Sequence, residues 1–183
     1  VEVANVNDAP GFTSTPLTEA TEDETYSYTV ETKDIDGDGV AVDSVKMPTW
    51  LEFTDNEDGT AVIKGIPGNS EVGKDSVIIA ISDGNINNPV MQKFEITVAN
   101  VNDVPEFTSE PVTQANEDKA YEYAVTTKDI DGDQLTIQAP ELPDWLSFVD
   151  NGDGTATLSG TPKNDHVGSY EIVLELNDGN IDA

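Results

Sequence analysis

The feature that most constrains this chain is that it repeats itself. Shifted by 95 positions, the sequence aligns with itself without a gap, and 44 of the 88 overlapping positions are identical. Ala4-Asn5-Val6-Asn7-Asp8 returns as Ala99-Asn100-Val101-Asn102-Asp103, and Lys33-Asp34-Ile35-Asp36-Gly37-Asp38 as Lys128-Asp129-Ile130-Asp131-Gly132-Asp133. Trp50-Leu51 with Phe53 returns as Trp145-Leu146 with Phe148, and Ser82-Asp83-Gly84-Asn85-Ile86 as Asn177-Asp178-Gly179-Asn180-Ile181. A repeat of this length is long for a solenoid and natural for one β-sandwich, so each copy has to bury a core of its own.

Strand patterns dominate both copies. Tyr26, Tyr28 and Val30 alternate with Thr25, Ser27 and Thr29, the period of a half-buried strand. Val77, Ile79 and Ile81 alternate likewise and are matched by Ile172, Leu174 and Leu176, while Ala80 becomes Glu175 at what reads as an outward position. No stretch has helical periodicity with proper caps. Seven strands are expected in the first copy: A near 11–20, B near 24–33, C near 39–45, D near 49–54, E near 60–65, F near 75–83 and G near 90–98. Asp58-Gly59 and Asp153-Gly154 mark the D–E hairpins. The expected fold is all-β, two tandem seven-stranded immunoglobulin-like Greek-key sandwiches.

The copies are out of phase with the chain. Val1 to Val3 align with Ile96 to Val98, and Ala183 aligns with Asn88, before strand G. The expected layout is a tail of a preceding repeat and a linker at 1–8, a first domain at 9–99, a linker at 100–104, and a second domain at 105–183 whose G strand is absent. Such a chain reads as cut from a longer array, or as one completed by a neighbouring strand.

Charge excludes whole classes of partner. There are 8 Lys+Arg against 37 Asp+Glu, a formal net charge of −29. Nucleic acid is excluded because phosphate binding needs clustered Lys and Arg, and an anionic membrane surface is disfavoured for the same reason. The longest apolar run, Val77 to Ile81, is far too short for direct membrane insertion. With no Cys, thiolate metal sites and disulfides are impossible. Catalysis finds little support: one His, no Cys and no phosphate loop leave only carboxylates, and among 37 acids some pair is always close. The expectation is that this is not an enzyme.

Strand parity places the acids. The linker entering a copy, its B–C loop and its F–G loop share one end; the A–B loop, the E–F loop and the linker leaving the copy share the other. In the first copy the entering end carries Asn5, Asn7, Asp8, Asp34, Asp36, Asp38 and Asp83. In the second it carries Asn100, Asn102, Asp103, Asp129, Asp131, Asp133 and Asp178. Glu22 and Asp23, with Asn69 and Glu71 nearby, occupy the opposite end of the first copy. Carboxylates about 4 Å apart repel by about 1 kcal/mol even in bulk water, so such clusters call for cations. Oxygen-only ligands on loops suit Ca²⁺; zinc prefers His or Cys, and Mg²⁺ a stricter octahedron. Calcium ions are the expected bound partner.

These residues resemble a known family. Asn100-Val101-Asn102-Asp103-Val104-Pro105 followed by Phe107 is similar to the cadherin linker, Asp-x-Asn-Asp-Asn before a proline, with Asn100 in place of the first Asp. Asp129-Ile130-Asp131-Gly132 looks like the cadherin Asp-x-Asp motif, which uses the first two acids of the run, and Glu22-Asp23 and Glu117-Asp118 take the place of the first-loop glutamate. The Trp-Leu-x-Phe, Asp-Gly-Thr and Gly-x-Pro signatures resemble more narrowly the dystroglycan-type cadherin-like domains of long bacterial surface proteins. In the E–F loop, Asn69-Ser70-Glu71 and Asn164-Asp165-His166 replace the cadherin Asp-Arg-Glu. The resemblance implies one to three ions per junction and calcium-rigidified extender or adhesion repeats at a bacterial cell surface, serving adhesion or biofilm formation.

Plainer readings stand beside these. Asp34 to Asp38 can be an Asx-rich turn without an ion; as an EF-hand it fails, because position twelve is Val45 and no helices flank it. Asp55 to Gly59 and Asp150 to Gly154 read as hairpin turns, with Asp58 and Asp153 free to hold an accessory ion. Trp50 and Trp145 read as core residues, or as sugar-stacking platforms if exposed. His166 stands where Glu71 stands, so a repeated role is not expected of it. The alternative function is a module binding carbohydrate or protein, with Tyr170 an aromatic peculiar to the second copy; homotypic contacts through sheet edges are a third option.

Overall fold

Alternation dictates the architecture. Tyr26–Lys33 (β3) and Tyr121–Lys128 (β10) follow the same buried–exposed alternation, placing Tyr26, Tyr28, Val30, Tyr121, Tyr123 and Val125 inward. The computed structural model of the protein describes residues 1–86 and 88–180; Asn87 and residues 181–183, among them the aligned Ile181, lie outside them. The chain divides into two units, Val1–Val101 and Asn102–Ala183.

The first unit is a two-layer sandwich. One sheet orders Gly11–Phe12 (β1), β3, Thr60–Gly65 (β6) and Leu51–Asp55 (β5). The other orders Glu19–Thr21 (β2), Val90–Ala99 (β8), Gly73–Ser82 (β7) and Ala41–Lys46 (β4). All pairings are antiparallel except β2 with β8, where Glu19 faces Thr97 and Thr21 faces Ala99 in parallel. Between the sheets lie Val30, Ile63, Val77, Ile79, Ile81 and Ile96, all essentially inaccessible. Each such side chain contributes about 1.5–3 kcal/mol relative to exposure.

Strand A is not continuous, as the sequence had suggested, but two short strands on different sheets. Pro16 lies between them, and a proline cannot donate to a ladder. Ala80 also departs from expectation: it is buried at 5% exposure. It sits on an inner strand of its sheet, flanked by Asp43 on β4 and Met91 on β8, so its small side chain is covered from both sides.

The second unit repeats the first sheet as Glu106–Phe107 (β9), β10, Thr155–Gly160 (β13) and Leu146–Asp150 (β12). Among the described residues its other sheet pairs two strands, Thr136–Glu141 (β11) and Val173–Asn177 (β14). Ile172, expected within strand F, precedes β14.

Candidate metal centre

The loop after β3 is organised by its own first acid. Asp34 Oδ1 accepts from the amides of Asp36 at 2.8 Å and Asp38 at 3.2 Å, while Gly37, at φ 83°, supplies the left-handed turn. This is the Asx turn that the plainer reading describes. It consumes only one oxygen. Asp34 is 9% exposed, and its Oδ2 is buried without a hydrogen-bond partner among the described residues.

The segment entering the unit closes over this loop. Asp36 Oδ1 accepts from Asn5 Nδ2 at 2.9 Å, and Oδ2 accepts from the amide of Asp8 at 2.6 Å. Asn7 Nδ2 donates to Asp83 Oδ2 at 2.9 Å, joining the same segment to the loop after β7. Asn85 Nδ2 donates to Asp38 Oδ2 at 3.1 Å and ties the two loops together. Thus Asn5, Asn7, Asp8, Asp34, Asp36, Asp38 and Asp83 stand at one end of the first unit.

The second unit builds the same end from its own residues. The amide of Asp103 donates to Asp131 Oδ2 at 2.7 Å, Asn102 Nδ2 donates to Asp178 Oδ2 at 3.0 Å, and the amide of Asp133 donates to Asp129 Oδ1 at 3.0 Å. Asn180 Nδ2 reaches both Asp133 Oδ2 and Asn102 Oδ1 at 2.6 Å. Carboxylate oxygens of Asp129, Asp131 and Asp133 lie within 4.8 Å of one another. Asp129 Oδ2 and Asp131 Oδ1 are buried and lack hydrogen-bond partners among the described residues. Asn85 and Asn180 were not singled out from sequence, although their recurrence at the repeat spacing was the available signal.

At the other end of the first unit Glu22 is 1% exposed. Its amide donates to Ala99 O at 2.9 Å, and its Oε2 accepts from the amide of Val101 at 3.1 Å. Oε1 is buried and without a hydrogen-bond partner among the described residues. Asp23 is exposed and holds the left-handed corner at φ 58°, its amide donating to Pro67 O. Asn100 is exposed directly after β8, and Asn69 opens a short 3₁₀ turn, Asn69–Glu71. His166 does share a role with Glu71, contrary to expectation: its Nδ1 accepts from the amide of Lys163 as Glu71 Oε2 does from Gly68, each at 3.0 Å. Both side chains present a lone pair to the same position of the turn.

The donor set fits a hard cation. A buried carboxylate oxygen lacking a partner costs about 1–3 kcal/mol, and more when the group is charged. Four such oxygens, on Glu22, Asp34, Asp129 and Asp131, are unpaired in this way among the described residues. The Asn7 side-chain amide, followed by the Asn85 amide, holds Asp83 below the usual carboxylate range; Asn102 and the Asn180 amide do the same to Asp178. Oxygen-only ligands on loops are the donors Ca²⁺ takes.

Comparisons with known proteins place the fold. Residues 7–97 match the family model described as "Bacterial Ig domain" and residues 104–182 the one described as "Putative Ig domain". The protein is a pair of immunoglobulin-like repeats in tandem. The crystal structure of human protocadherin-24 EC1-2 is 17% identical, with 93% of this chain and 87% of that chain covered and a TM-score of 0.53. The endo-fucoidan hydrolase MfFcnA4 from glycoside hydrolase family 107 is 28% identical over 97% of this chain, at a TM-score of 0.48; this chain spans only 28% of its length. The chain matches no curated protein. Both family matches are to Ig domains and point to a non-catalytic module.

Proposed function

We propose that the chain consists of calcium-rigidified extender repeats, of the dystroglycan-type cadherin-like kind, from a bacterial extracellular surface protein engaged in adhesion or biofilm formation. The observation that carries this reading is the pairing of each Asp-x-Asp-Gly-Asp loop with its entering segment, with buried oxygens of Asp34, Asp129 and Asp131 left unpaired. A Ca²⁺ ion at those oxygens neutralises the cluster and fastens the linker to the loops. Glu22, in the first unit, holds the Val101 amide by one oxygen and leaves the other without a hydrogen-bond partner among the described residues, a donor of the same hard kind. The match to a bacterial Ig-domain family supports an extracellular setting. Extracellular modules typically bind Ca²⁺ at about 10⁻⁴–10⁻³ M, so the ion is bound outside cells and lost inside. Titration calorimetry tests this: heat should saturate with Ca²⁺ in that range, with Mg²⁺ much weaker, and Asp34→Ala with Asp129→Ala should abolish it. Absence of Ca²⁺ heat at millimolar concentrations would refute the assignment.

A second reading, carbohydrate binding, is favoured by one observation. Tyr170 is 46% exposed and meets Trp145 edge-on at 6.2 Å, an aromatic pair the first unit lacks because Asp75 stands in Tyr170's place.

A further inference from the structure

The two units treat the same sheet edge differently. In each, the strand before the D–E hairpin stands at one side of its sheet: β5 in the first unit, β12 in the second. The first unit guards that edge with charge. Glu52 points outward from β5 opposite Lys64 on β6, and the two form an ion pair at 3.7 Å. The 95-residue shift turns Glu52 into Ser147 and Lys64 into Ser159. Outward from β12, β13 and β10 stand Ser147, Ser159 and Glu122 in one row, and Val149, Thr157 and Ala124 in the next. Glu122, two strands in from the edge, is the charged one among them. Val149, on the edge itself, is 56% exposed. Charged residues at a sheet edge prevent strand-to-strand association, and a neutral edge permits it.

The backbone of β12 is set for such pairing. The Asn151 amide donates to Thr155 O at 3.0 Å, so alternation along the strand turns the amides of Ser147 and Val149 toward β13 and those of Phe148 and Asp150 away from it. The Leu146 amide also turns away and donates to Pro143 O at 2.9 Å. The N–H and C=O of Phe148 and Asp150, with the C=O of Leu146, therefore line the side of β12 that pairs with no strand among the described residues. The Asp150 carboxylate is engaged by the amides of Gly152 at 2.9 Å and Ile137 at 3.2 Å.

Charge selects the occupant. At a net charge of −29, two copies of this chain repel wherever acid meets acid. The β12 edge lets them meet without that cost. We propose that β12 is a homotypic pairing edge, to which a second copy of this chain adds its own β12 antiparallel about a twofold axis at Phe148. The two Phe148 residues then exchange both backbone bonds, and each Asp150 amide donates to Leu146 O of the other copy. Ser147 lies opposite Val149 of the second copy, and no acid of the strand faces an acid. The same arrangement on β5 would bring two Glu52 side chains onto one face. The contact is smaller than the about 1,200–2,000 Å² of stable complexes, so the dimer is weak, with Kd of about 10⁻⁴ M or looser.

Sedimentation equilibrium of the full chain tests this, from micromolar to millimolar protein, in EDTA and about 0.5 M NaCl, where salt screens the repulsion and calcium plays no part. The expected result is a reversible monomer–dimer equilibrium that tightens as salt is raised. Amide exchange at Phe148 and Asp150 should slow as protein concentration rises, while exchange at Ser147 and Val149 stays unchanged. Val149→Lys, and separately Ser147→Glu, which restores the charge of the first unit's edge, should each weaken the dimer at least tenfold with circular dichroism and melting temperature preserved. Thr54→Lys, at the matching position of β5, should leave it unchanged. A chain that stays monomeric at millimolar concentration overturns the proposal. Association that survives both β12 variants, or that Thr54→Lys abolishes, also overturns it by placing the contact elsewhere.

Discussion

The backbone amide of Asp103 donates to Oδ2 of Asp131 at 2.7 Å, and the bond recurs in the first unit between Asp8 and Asp36 at 2.6 Å. One oxygen of the loop acid is thereby committed to the entering segment. In Asp131 the other oxygen is buried and has no hydrogen-bond partner among the described residues. A cation bound there acts on the loop and the linker together, through a single carboxylate.

Asp131→Ala should therefore weaken Ca²⁺ binding in the second unit by about tenfold or more, as losses around a metal ligand set commonly do. Without the ion the same change is mild: it removes one hydrogen bond worth about 0.5–1.5 kcal/mol but also relieves repulsion from Asp129 and Asp133. Calorimetric titration of the variant, beside melts in EDTA, separates the two effects.

Glu22→Gln should separate the fold from the ion. The amide oxygen can still accept from Val101, so the calcium-free first unit should keep its melt to within about 1 kcal/mol, whereas the NH₂ that replaces Oε1 has no lone pair to offer a cation. The gain on adding Ca²⁺ should shrink. Paired melts in EDTA and CaCl₂ show both.

How far the sequence revealed this arrangement can be seen residue by residue. The alternation of Tyr26, Tyr28 and Val30 located β3 because a half-buried strand writes its geometry at period two. Loop parity gathered Asn7, Asp36 and Asp83 at one end, since antiparallel strands fix which loops share an end. The bridging by Asn85 was legible only as a recurrence at the repeat spacing: an amide after Asp-Gly resembles any turn residue until the facing Asp38 is placed. The cap made by His166 was hidden because chemically different side chains, imidazole and carboxylate, present the same lone pair. The burial of Ala80 depended on neighbouring strands that no local pattern records.

The two D–E hairpins should resist acid. Asp58 accepts from both the hydroxyl and the amide of Thr60, and these bonds lower its pKa; Asp153 is lowered likewise, first by the Thr155 hydroxyl. A carboxyl whose folded pKa is depressed contributes stability that is fully present above its unfolded pKa, about 3.9, and is lost as pH falls through the folded value. Hairpin loosening from this source is expected only below about pH 4. Thr60→Val should raise the Asp58 pKa, read by NMR titration of the side-chain carboxyl, and leave Asp153 unmoved.

Gly65→Ala should destabilise the first unit selectively. A Cβ at Gly65 would run into the backbone carbonyl of Trp50 and crowd its ring, and one at Gly160 would do the same to Trp145. Backbone cannot yield as a flexible side chain does, so each change should cost about 1–3 kcal/mol or more. For a repeat of this size that lowers the melting temperature by about 4–8 °C per kcal/mol. Gly65→Ala should move one unit's transition and Gly160→Ala the other's.

The most direct test of the central claim is a differential scanning calorimetry melt of the whole chain in excess EDTA and again in about 10 mM CaCl₂. At the affinities typical of extracellular modules, each bound ion adds about 1.4–2.7 kcal/mol, so the melt should rise by several degrees or more. Asp34→Ala combined with Asp129→Ala should erase that rise. Coincident melts of the unaltered chain in EDTA and Ca²⁺ would contradict the account and leave the acidic loops as solvated turns.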